Sequence, residues 1–246
     1  MNLLLFFILP IMALGLGWEL VLADPQQIWY WFILVLASGG LLSFSVNFNL
    51  PWRRAWADRV SFMVLLVSVF WWLLWLDFSY FNYVVPVIFW LLTVLLLRYT
   101  RGRELEILPP SLRLAMFLAS SFFASSLSFG LVTVLGYPLY LVLIVFLLLL
   151  ALPTWAATIY LRQLGKNWLL SYLFLLLVLA EFFTVLVWLP FTEITLGLVL
   201  TIVILAFYDL LKYFVKPELT VRRIIVKKII VYAIFLLLVL FSTPWL

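Results

Sequence analysis

Glu181 is the residue best placed to do chemistry in this chain of 246 residues. It stands within the apolar run 168–189, about 21 Å from the start near Asn167 at 1.5 Å per helical residue. A carboxyl inside a membrane-spanning segment is expensive and marks a site by default. Such a group can relay a proton or hydrogen-bond a neighbouring helix, and the second role is worth about 0.6 kcal/mol on average. Thr184 at i+3 and Trp188 at i+7 fall on the same helix face.

The run 112–135 supplies hydroxyls. Ser121, Ser125 and Ser128 follow one another at i, i+4 and i+7, beside the small residues Ser120 and Ala124. Small residues let helix backbones approach closely where lipid gives no hydrophobic drive. The same stripe could line a polar cavity, so Glu181, Thr184, Ser121, Ser125 and Ser128 form the candidate intramembrane polar site.

Arg222, Arg223, Lys227 and Lys228 enter the last apolar run among isoleucines and are the candidate contact for acidic lipid. Near an anionic leaflet each such charge adds about 1 kcal/mol of attraction. Snorkelling anchors would use the same residues. A third cluster, Arg101, Arg103, Glu104 and Glu106, has the mixed charge that a lipid-processing enzyme needs, and also that of any polar turn. Asp209, three residues before Lys212, reads as half of an i,i+3 pair. Tyr208-Asp209 does not make an intramembrane aspartyl protease, since Asp77 falls at the opposite end of its span and no Gly-x-Gly-Asp string occurs.

The chain has no histidine and no cysteine. Zinc, copper, haem and iron–sulfur sites of the usual kinds need imidazole or thiolate, and Ser-His or Cys-His nucleophile pairs need the same groups. No cofactor is therefore expected, and no catalytic residue is assigned.

The elements that position these groups follow from composition. Hydrophobic residues make up 68 % and charged ones 10 %, against roughly half and a quarter in soluble domains. The expected fold is all-α: a polytopic transmembrane helical bundle, one integral membrane domain over residues 1–246 with no soluble domain. About nine runs reach spanning length, at 3–22, 27–46, 60–77, 82–97, 112–135, 138–161, 168–189, 194–213 and 224–244. Gly136-Tyr137-Pro138 is a tight turn between two of them. Pro10, Pro86 and Pro153 fall inside runs and can kink them. Val21-Leu22-Ala23 resembles a signal-peptidase site, but no Lys or Arg precedes it, so the first run reads as a span.

All 15 Lys and Arg lie in alternate loops or the adjoining helix ends, while Glu19, Asp24, Asp77 and Glu193 mark the other side. Basic loops stay cytoplasmic. The expectation is a multi-pass protein of the cell membrane, with a cytoplasmic N-terminus and an external C-terminus. The basic excess then points to anionic membrane lipid and not to nucleic acid.

Three functions fit. A non-enzymatic membrane component would pack with lipids, other membrane proteins or further copies of itself. A transporter of small solutes, ions or protons would use Glu181 and the serine-rich fifth span. A lipid-processing enzyme would use the mixed-charge loop. The cysteine-free chain makes orientation directly measurable. Arg101→Cys should react with an impermeant thiol reagent only from the cytoplasmic side, and labelling from outside intact cells would reverse the assignment.

Overall fold

A computed structural model describes residues 3–45, 52–73, 84–101, 110–162, 168–215 and 222–243. The described residues form nine α-helices and one 3-10 turn at Pro25–Gln27. The helices are α1 (Leu3–Ala23), α2 (Ile28–Ser45), α3 (Trp52–Leu73), α4 (Val84–Arg101), α5 (Pro110–Thr133), α6 (Leu139–Arg162), α7 (Trp168–Leu186), α8 (Glu193–Val215) and α9 (Arg222–Ser242). The chain is a helical membrane bundle. Among the described residues, six helices are long and apolar enough to cross a bilayer, and α1, α2 and α4 carry shorter apolar stretches. Helices are the open-chain answer to hydrocarbon, because every backbone N–H and C=O finds its partner within the segment.

The chain divides into two compact units, 1–112 and 113–246. In the first, α1 and α2 form a hairpin closed by the Pro25–Gln27 turn, and Trp31 Nε1 donates to Asp24 O at 3.1 Å. Glycines set the spacing. A Cβ at Gly17 would lie 2.7 Å from Val35 Cγ2, and one at Gly15 would lie 2.8 Å from Trp90 Cδ1. The Trp90 indole lies over that gap and donates to Ile11 O at 3.0 Å, tying α4 to α1. Phe32, Phe70 and Trp71 pack ring against ring between α2 and α3, with Phe32 5.5 Å from Phe70 and 5.2 Å from Trp71.

Two elements differ from the sequence expectation. The third helix starts at Trp52 and not near 60, because Trp52–Arg59 holds neither Gly nor Pro and continues the helix through its charges. Asp58 and Arg59, 1 % and 5 % exposed, are thereby carried into the packed interior of α3. Pro86 is no kink. It lies in the first turn of α4, where backbone N–H groups have no intrahelical acceptor to lose. Pro10 and Pro153 do lie within their helices.

The second unit is built around aromatic rings. Phe183 of α7 is stacked between Phe129 of α5 and Phe146 of α6, at 4.6 Å on each side, and all three are fully buried. Tyr208 of α8 reaches across to α6 and donates to Ala157 O at 3.0 Å. α8 also approaches α5 closely, since a Cβ at Gly197 would sit 3.0 Å from the Ser126 backbone N. Thr192 caps α8: its hydroxyl meets that of Thr195 at 2.9 Å, and Glu193 adds a negative charge at the helix start.

The turn between α5 and α6 is the one the sequence indicates. Gly136 has φ +67, and Tyr137 N donates back to Leu131 O at 3.0 Å, so the chain folds over the end of α5 through a left-handed residue. No atom lies within 4 Å of a Cβ placed there, so substitution tests the backbone alone. Gly136→Ala should lower stability by about 1–2 kcal/mol, and Gly136→Asn by less, because asparagine tolerates this conformation. Unfolding in mild detergent checks both values.

Candidate functional site

A polar cluster joins α8 and α9. Lys228 Nζ lies 2.8 Å from Asp209 Oδ2, and Tyr232 donates its hydroxyl to the same oxygen at 2.6 Å. The Lys228 ammonium also stands 5.4 Å from the centre of the Tyr213 ring, within cation–π range. The Asp209 side chain is 12 % exposed and that of Lys228 40 %. Asp209 therefore has partners on the next helix, beyond the i,i+3 relation to Lys212 that the sequence suggests. The Lys212 side chain is outside the described residues.

Hairpin register explains the pairing. Asp209 lies six residues before the end of α8 at Val215, and Lys228 six residues after the start of α9 at Arg222. Residues equidistant from a connection meet at one depth when the helices fold back on each other. That symmetry was the available signal, since opposite charges at mirrored positions of a hairpin are the natural pair.

α9 meets α8 with a single stripe. Ile225, Lys228, Tyr232, Leu236, Val239 and Leu240 are half-buried, while no residue from Arg223 to Ser242 is buried. The pattern divides the basic run. Lys228 turns inward to Asp209, whereas Arg223 and Lys227 are exposed on the other side of the helix. The Arg222 side chain lies outside the described residues, as do 102–109 with Arg103, Glu104 and Glu106, and the Arg101 side chain.

The intramembrane polar residues occupy two different places. Ser121, Ser125 and Ser128 are buried in the second unit. Ser121 donates to Phe117 O at 2.8 Å, and Ser125 donates to the carbonyls of Ser121 and Phe122, so these hydroxyls are spent on their own helix. Ser120 Oγ and Thr154 Oγ1 are buried without a hydrogen-bond partner among the described residues. Glu181 is on the outside. Thr184 is half-buried and donates to the backbone carbonyl of Glu181 at 2.8 Å, leaving the carboxyl uninvolved. An exposed carboxyl and fully buried serines do not share one cavity.

A groove of about 710 Å³ opens between α7 and α8. Leu170, Leu173, Phe174 and Leu177 form one wall, and Phe207, Leu210 and Leu211 the other. Its volume is that of a ligand pocket, but Ser171 alone interrupts the apolar lining, too little polarity to orient a polar substrate. No protein-family model, curated protein or solved structure matches the chain.

The α8–α9 pair is open to a direct test. Asp209→Asn and Lys228→Met should each destabilise, because each leaves a charge in a poorly solvated place without its counterpart. The double variant should cost less than the sum of the two, with a coupling of about 0.5–3 kcal/mol. A double-mutant cycle on unfolding in detergent measures it, and an additive result would mean that the two groups act independently.

Proposed function

We propose that the protein is a non-enzymatic component of the cell membrane that packs with lipids and other membrane proteins. The observation that supports this reading is the contrast between interior and surface. Inside the second unit, space is filled by the Phe129–Phe183–Phe146 stack, and Ser121 and Ser125 turn their hydroxyls onto their own helix. Outside, α9 and one face of α7 present leucine, isoleucine and phenylalanine side chains. A structure that is closed within and extensive without is suited to association.

In this reading the basic loops are cytoplasmic, and Arg223 and Lys227 on the outer face of α9 meet anionic headgroups. Two exposed charges would add about 2 kcal/mol of attraction to such a leaflet, falling as salt rises. Lys228, held by Asp209, adds less.

Native lipid retained by protein extracted in mild conditions and placed in nanodiscs is the readout. Anionic lipid should be enriched over the bulk membrane, and Arg223→Gln with Lys227→Gln should reduce that enrichment. Proteoliposomes provide the opposing measurement. A solute, ion or proton flux above that of empty vesicles, lost in Glu181→Gln, would replace this reading with transport.

A further inference from the structure

We propose that the outward face of α7 is an interface between two copies of this chain, paired about a two-fold axis along the membrane normal with their Glu181 carboxyls hydrogen-bonded to each other. This deepens the reading of the protein as a packing component by naming its partner.

The face is continuous. Leu170, Phe174, Leu177, Glu181, Val185 and Trp188 are all exposed and follow one another at steps of four, three, four, four and three, the repeat of a single helical stripe. Ser171, Leu175, Val178, Leu179, Phe183 and Leu186 take the opposite, buried side. One half of the stripe forms a wall of the apolar groove with α8, and the other half carries Glu181.

Glu181 supplies the reason for a partner. Its carboxyl lies five residues from the end of a spanning helix and faces away from its own bundle. No hydrogen bond or ion pair reaches it among the described residues, and Thr184 bonds only its backbone carbonyl. The nearest basic residues along the chain on either side are Lys166, which precedes α7, and Lys212, near the far end of α8. Hydrocarbon offers nothing to such a group, so the face that carries it is stable when a neighbour brings a donor and an acceptor to the same depth.

A second copy does this by symmetry. A two-fold axis normal to the bilayer places each residue opposite its own counterpart at equal depth. A carboxylic acid carries one O–H donor and a free acceptor, so two of them satisfy each other completely. The rest of the face is self-complementary as well. The leucine ridge of one α7 can enter the groove between α7 and α8 of the other, and the reverse contact is identical.

The full chain in nanodiscs or in dilute bilayers, with subunits counted by photobleaching, is the test. Dimers are expected. Leu177→Cys and Val185→Cys should each crosslink with a short thiol reagent, while Ile234→Cys on exposed α9 should not. Glu181→Leu should weaken dimerisation roughly tenfold, and Glu181→Gln, which keeps a donor and an acceptor, should stay within about threefold of the parent. Equal unfolding temperatures for the three proteins at a dilution where each is monomeric exclude a folding defect. Monomers at all dilutions, dimers indifferent to Glu181→Leu, or crosslinks through α9 would overturn the pairing. A monomer that still enriches anionic lipid would overturn the pairing alone and leave the packing role standing, whereas loss of that enrichment from intact dimers would do the reverse.

Discussion

In hydrocarbon an unsatisfied polar group has nowhere to turn, and an apolar surface gains nothing by hiding. Every contact that orders this protein follows from that pair of conditions. Leucine against leucine is no better than leucine against lipid, so helix association rests on close fit and on the polar groups left over. The glycines at 15, 17 and 197 sit where neighbours come within about 3 Å of a missing Cβ. The Trp90 indole and the Tyr208 hydroxyl each cross from one helix to a carbonyl of another. Asp209, Lys228 and Tyr232 satisfy one another between α8 and α9.

The same conditions separate what the sequence discloses from what it conceals. Helix positions were legible because spanning length and apolarity are local properties, and Gly136 marked its turn because a left-handed residue has few alternatives. Helix facing was not legible. In α7, leucine stands on the buried side at 175 and 179 and on the exposed side at 170, 173 and 177, so no amphipathic stripe tells inside from outside. Spacing correctly put Glu181 and Trp188 on one face, but only tertiary neighbours decide that this face looks outward. α3 shows the reverse failure: its charges suggested a loop, yet packing buries Asp58 and Arg59 within a helix.

The polar groups also sort by role once their surroundings are known. The Ser121 and Ser125 hydroxyls of α5, which looked like part of a cavity lining, are absorbed by carbonyls about one turn back. Within four basic residues of one run, a step of one residue, about 100° around the helix, assigns Lys228 to an internal partner and Lys227 to the surroundings. Charge count alone would have treated them as equivalent. Sidedness, not number, determines what each can touch.

The placement of Asp209 and Lys228 on successive helices also has a consequence in time. The two residues are separated by nineteen positions along the chain. At a synthesis rate of about 5–20 residues per second, the aspartate leaves the ribosome roughly one to four seconds before the lysine that will neutralise it. During that interval the Asp209 carboxylate has yet to meet its partners on α9. Until Lys228 and Tyr232 emerge, α8 stands in the membrane without the cross-helix contacts that the arrival of α9 brings.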